Sequence, residues 1–95
     1  MLALYDPNKE TRMETDSSDS VSAGVLSQRQ GDGEFHPIAY YSKTMLDAEM
    51  RYPIHDKEML AVILGLKEWR GELQGLKQPF VAITNHRALE FFTTK

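Results

Sequence analysis

The stretch IHDKEMLAVILGLKEWRGELQG, running from Ile54 and followed closely by PFVAIT, constrains this chain more than any other feature. Met59, Val62, Ile63, Leu66, Trp69 and Leu73 recur at helical spacing, so the first segment reads as one amphipathic helix. Asp56 suits the positive end of its dipole, and Gly75 lies just past its end. PFVAIT is a continuous apolar run of the kind found in strands buried on both faces. A helix feeding such a strand is the crossover half of a parallel unit, and those crossovers are right-handed by strong preference.

Upstream, the periodicity changes to two. Thr11 to Asp16 reads as a strand with Met13 and Thr15 on one face and Arg12, Glu14 and Asp16 on the other. Ser20 to Gln28 alternates Val21, Ala23 and Val25 with small or polar partners, and PIAYYSK (37–43) is rich in β-formers. The Gly-Asp-Gly turn at 31–33 between them makes the pair a hairpin. TMLDAEMRYP (44–53) reads as a loop closed by Pro53, and RALEFFTTK (87–95) reads as a second amphipathic helix. The expected architecture is α/β, a mixed sheet with flanking helices in the order β-β-β-α-β-α. Residues 1–11 form a lead-in, with a turn signal at Asp6-Pro7-Asn8-Lys9, and 12–95 form the domain.

The crossover returns PFVAIT parallel to the first strand and beside it. Asp16 and Asn85 then end neighbouring strands, and ligands of such sheets bind beyond the carboxyl ends of strands. Glu58 stands on the border of the helix's expected buried stripe (58, 62, 66, 69) and looks toward the same spot. Asp16 itself sits in METDSSDS, where two readings stay open: a turn former bonding local amides, or the first ligand of a metal site.

Bulk properties narrow the function class. A chain of 95 residues buries one modest core. Without cysteine there is no disulfide scaffold and no thiolate zinc site, and His36 and His55 lack zinc spacing. A net charge of −3 argues against nucleic-acid binding driven by bulk charge, though not against a site where metal ions meet phosphates. MLALYDPNKE is no signal peptide, and the apolar run at 59–66 is too short to span a bilayer, so an intracellular chain, cytoplasmic or nuclear, is expected.

ETDSSDSVSAGVLSQ, HPIAYYSKTMLDAEMRYPIHDKEMLAVILGLKEWR and TNHRALEFFTTK together resemble the ribonuclease H domain of reverse transcriptases from gypsy-type LTR retrotransposons, chromoviral and fungal elements included. The resemblance covers the whole chain, with LALYDPNKETR similar to the segment joining polymerase to ribonuclease H. It implies a five-stranded mixed sheet flanked by helices and metal-dependent hydrolysis of RNA in RNA/DNA hybrids, with Mg²⁺ or Mn²⁺ as cofactor. It also implies an acidic cluster, in which Asp16 matches the family's first carboxylate and Glu58 its second. The third position, the Asp of a Thr-Asp-His run, is here Asn85 in Thr84-Asn85-His86. The fourth falls beyond Lys95, so the family's fifth strand and later helices are expected to be missing. Arg51 replaces an asparagine of the family, and with His86 it is a candidate substrate contact.

Two metal ions about 4 Å apart need anionic oxygens around them. Asp16 and Glu58 supply two carboxylates, and Asn85 offers only a neutral carbonyl oxygen. Two function classes follow: a weakened ribonuclease H, or a non-catalytic module of that fold that binds nucleic acid or protein. If PFVAIT ends the sheet, its bare edge also favours a homodimer.

Overall fold

The computed structural model describes residues 2–84 in full and the backbone of 87–91. Three antiparallel strands open the fold: β1 (Thr11–Ser17), β2 (Val21–Arg29) and β3 (Phe35–Thr44). Then come α1 (Asp47–Met50), α2 (Ile54–Glu68), α3 (Arg70–Gln74), β4 (Phe80–Thr84) and β5 (Arg87–Phe91). The sheet order is β3-β2-β1-β4-β5. β4 runs parallel to β1, with Arg12 beside Val81 and Thr15 beside Thr84, as the crossover requires.

The β2–β3 hairpin turns where the sequence places it. Gly33 adopts φ +83°, a conformation that costs a residue with a Cβ about 1 kcal/mol or more. Gly33 N–H bonds the Gln30 carbonyl at 2.9 Å, and Gln30 N–H bonds that of Glu34 at 2.8 Å. Asp32 accepts from Glu34 N–H (2.9 Å) and meets His36 Nε2 at 2.9 Å. These contacts hold its carboxyl below the ordinary value, the backbone bond from Glu34 first and His36 second. A carboxyl lowered in the folded state adds stability above its unfolded pKa, lost as pH falls through the folded value. Asp32→Asn is therefore expected to remove an acid-side transition of the hairpin amides, followed by NMR between about pH 5 and pH 2.

α2 begins behind Pro53, which cannot extend a helix backwards and whose carbonyl accepts from Asp56 and Lys57. Its sheet-facing stripe is Lys57, Ala61, Val62 and Gly65. Gly65 permits the close approach: a Cβ there would lie 2.8 Å from Met13 Sδ and 3.5 Å from Thr15 Cγ2. The core between sheet and helices is Met13, Leu26, Val62, Trp69, Leu73, Leu76, Phe80 and Ala82. Tyr41 donates its hydroxyl to the Ala61 carbonyl (2.6 Å) and meets Trp69 edge-on at 5.4 Å. Burial pushes the Tyr41 phenol pKa up, which keeps the donor protonated.

Several expectations are corrected. The helix expected from Ile54 to Gln74 breaks at Trp69, whose φ −111° and ψ 27° separate α2 from α3. Met59 and Ile63 are exposed, because the buried stripe is centred on Ala61 and Gly65. The supposed loop at 44–53 contains α1, closed by Glu49 Oε1 accepting from Leu46 N–H at 2.8 Å.

The largest correction is at the C-terminal end. Residues 87–91 are not the start of a helix but β5, antiparallel to β4 with Phe80 beside Phe91 and Thr84 beside Arg87. The fifth strand expected to be missing is present, and the order closes β-α-β-β. Arg, Ala, Leu and Glu are good helix formers, but propensity is a weak prior and pairing with an open edge overrides it. With β5 on it, β4 is no longer an edge, and the homodimer expected through a bare fourth strand loses its basis.

The lead-in is docked onto the domain. Ala3 N–H bonds the Pro37 carbonyl and Lys77 N–H the Pro7 carbonyl, both at 2.9 Å. Tyr5 donates its hydroxyl to the Glu72 carbonyl at 2.6 Å. The side chain of Gln28, 0% exposed, receives Asp6 N–H (2.9 Å) and donates to both the Asp6 carbonyl (2.7 Å) and Thr11 Oγ1 (2.9 Å).

Candidate functional site

Strand alternation places the side chains at the end of β1. Met13 and Thr15 are buried toward α2, while Glu14 and Asp16 are exposed on the opposite side of the sheet. Asp16 Oδ1 accepts the Ser17 N–H at 2.9 Å, which is the turn-forming half of its two readings. Among the described residues no hydrogen bond reaches its other oxygen. An open cavity of about 520 Å³ lies on this face, lined by Glu14, Asp16, Ala23, Val25, Tyr40 and Ser42 among others. Tyr40, 60% exposed, stands there because of the pairing: Asp16, Ala23 and Ser42 form one cross-strand row and Glu14, Val25 and Tyr40 the next. Trp69 takes the core position that the helical spacing gives it, and Tyr41 packs half-buried against the same cluster.

Glu58 sits half-buried in the opening turns of α2. The neighbouring Lys57 donates to the Asp19 carbonyl at 3.0 Å, so the start of α2 lies against the β1–β2 turn. Asp16 and Glu58 thus belong to the same end of the sheet but approach it from opposite sides of β1, and Glu58 does not line the Asp16 cavity. Thr15 Oγ1 and Ser17 Oγ, on the α2 side, are buried and have no hydrogen-bond partner among the described residues, so this strand end keeps polar capacity.

Thr84 closes β4 beside Thr15; Asn85 and His86 lie outside the described residues. Arg51 is exposed at the end of α1, its amide bonded to the Ala48 carbonyl at 3.3 Å, and neither Asp16 nor Glu58 is among its hydrogen-bond partners. Among the described residues no three His, Asp or Glu side chains converge to hold a metal ion. The described carboxylates offer a pair at most, short of the anionic shell a hard divalent cation takes.

Comparison with known proteins decides the family. The sequence profile of the RNase H-like domain found in reverse transcriptase matches residues 6–95. The chain belongs to this family. This RNase H-like domain is 43% identical over 89 residues to the Transposon Tf2-3 and Tf2-4 polyproteins of Schizosaccharomyces pombe. That alignment covers 94% of the chain but only 7% of each polyprotein, so the chain spans a small part of the relatives it matches.

Solved structures agree on the fold. The foamy viral protease-reverse transcriptase in complex with dsDNA superposes with TM-score 0.70 at 18% identity, over 85% of this chain and 16% of that one. The same viral protein in complex with an RNA/DNA hybrid gives 0.65 at 20% identity, over 85% and 10%. At such identities the likeness is one of architecture alone.

Proposed function

We propose that this RNase H-like domain serves the reverse transcriptase of a gypsy-type LTR retrotransposon inside the cell and engages RNA/DNA hybrids. Its activity is weak, metal-dependent hydrolysis of the RNA strand. Family membership across residues 6–95 carries the reading. Asp16 and Glu58 are its candidate metal-binding carboxylates, Asn85 its depleted third position, and Arg51 and His86 its candidate substrate contacts. Bound Mg²⁺ or Mn²⁺ would supply a Lewis acid and a water made nucleophilic near neutral pH. The chain's own contribution is to hold Asp16 by its bond to Ser17 N–H and to bring the opening turns of α2 to the same sheet end. Residues 1–11 are proposed as the connection from the polymerase, with 12–95 as the domain itself. Dimerisation through β4 is no part of this proposal.

One observation favours a second reading, a binding module without catalysis: Asn85 stands at the third carboxylate position, and the described residues hold no cluster of three carboxylates or imidazoles. Cleavage of an end-labelled RNA/DNA hybrid with Mg²⁺ and then Mn²⁺ separates the two. The enzymatic reading expects slow cleavage abolished by Asp16→Asn and raised about tenfold or more by Asn85→Asp, which restores an anionic ligand. No cleavage even by Asn85→Asp, with hybrid binding retained in fluorescence anisotropy, establishes the binding module instead.

A further inference from the structure

Lys57 is a cation in an unusual place. It occupies the first position of the α2 stripe pressed on the sheet, in line with Ala61 and Gly65, and is only 7% exposed. A desolvated ammonium is costly unless paired, and its usual partner is a carboxylate. Among the described residues no ion pair includes Lys57; its partner is the backbone carbonyl of Asp19, at 3.0 Å. A methionine or leucine would fill the stripe at lower cost.

The turn that Lys57 reaches does not need it for closure. Ser18 N–H bonds the Val21 carbonyl (2.9 Å), Val21 N–H bonds Ser18 Oγ (3.2 Å), and Met45 N–H bonds the Ser20 carbonyl (2.8 Å). What the ammonium adds is a bond between this turn and α2. It joins the two segments carrying the candidate carboxylates, Asp16 in the strand that enters the turn and Glu58 as the next residue of the helix.

We propose that Lys57 is a positioning residue of the site: its bond to the Asp19 carbonyl fixes the end of β1 against the opening turns of α2, and so fixes Asp16 relative to Glu58. The inference rests on the proposed assignment of those two carboxylates.

The chain has no cysteine, so His55→Cys gives a unique attachment point for a nitroxide on the exposed start of α2. Paramagnetic relaxation of the Ser17 and Ser18 amides then reads the separation of the two segments. Lys57→Met, which keeps the apolar stem, is expected to change that relaxation at least twofold and to leave the Leu26 amide in mid-sheet unchanged. Lys57→Arg, which keeps a cationic donor, is expected to restore it. Mn²⁺ titration by EPR on the unlabelled proteins reads the consequence: Lys57→Met weakens Asp16-dependent binding at least fivefold, and Lys57→Arg recovers it.

Wild-type relaxation in Lys57→Met overturns the proposal, and so does altered relaxation with unchanged Asp16-dependent Mn²⁺ binding, which would leave Lys57 a brace of the turn alone. If the wild-type protein binds no Mn²⁺, the metal reading of the site fails, and the relaxation data still decide whether Lys57 holds the two segments together.

Discussion

Gly24→Ala is expected to destabilise the domain by about 2–3 kcal/mol, in the upper part of the range for overpacking a filled core. A Cβ at position 24 would lie 2.4 and 3.0 Å from the Tyr41 ring and 3.3 Å from Trp69. The Tyr41 ring is not free to retreat. Its hydroxyl is tied to the Ala61 carbonyl of α2, its edge meets Trp69, and its backbone pairs with Gly24 itself. An added methyl therefore pushes α2 off the sheet or breaks the Tyr41 bond, and either loss spreads into the core. Gly65→Ala meets the flexible thioether of Met13, which can turn aside, and gains helix propensity of about 1 kcal/mol, so its net change should be small. Gly71→Ala meets nothing within 4 Å and should stabilise α3 by several tenths of a kcal/mol. Urea unfolding of the three variants tests the ranking through their midpoints at constant slope. Equal effects for Gly24→Ala and Gly65→Ala would mean that Tyr41 is not held as described.

What the sequence announced and what it concealed divide along one line, the distance between interacting residues. The alternation of β1, the Gly-Asp-Gly turn and the crossover into β4 follow from neighbours within a few positions, and all three are present as expected. Arg87 to Phe91 carries local helix propensity, while its structure comes from pairing with β4, a partner outside any local pattern. The buried helix stripe is narrower than its period suggests: Met59 and Ile63 fit a helical spacing but are exposed, because the sheet packs along the line of Lys57, Ala61 and Gly65. The polar interior was not legible at all. Lys57 finds its partner 38 residues away and Gln28 finds Asp6 22 residues away, and nothing in either local pattern marks a buried long polar side chain. Asp16 and Glu58 reach the same sheet end from opposite sides of β1, a placement that depends on how α2 crosses the sheet and that no local pattern contains.

Gln28→Leu is expected to cost about 3 kcal/mol or more, although leucine is close in size and apolar. The side-chain amide of Gln28 acts on the lead-in as a neighbouring strand would, receiving the Asp6 N–H and donating to the Asp6 carbonyl, with a second donation to Thr11 Oγ1. Leucine preserves the volume but removes three hydrogen bonds, each of about 1 kcal/mol; the Asp6 N–H loses its acceptor outright, while the Asp6 carbonyl keeps the Lys9 N–H and Thr11 Oγ1 keeps its donation to the Lys9 carbonyl. The lead-in itself decides how much is lost. If residues 2–8 peel away, the Asp6 groups regain water, and the cost becomes the loss of docking rather than of unpaired bonds. Hydrogen exchange separates these outcomes. Release predicts faster exchange at Ala3 and Lys77, whose amides bond across the lead-in, with β1 and β2 amides changed only through global stability. Retention predicts the reverse, a large fall in the urea midpoint with Ala3 still protected relative to the unfolded chain. One buried glutamine then decides both part of the fold's stability and whether the segment around Asp6 stays docked on it.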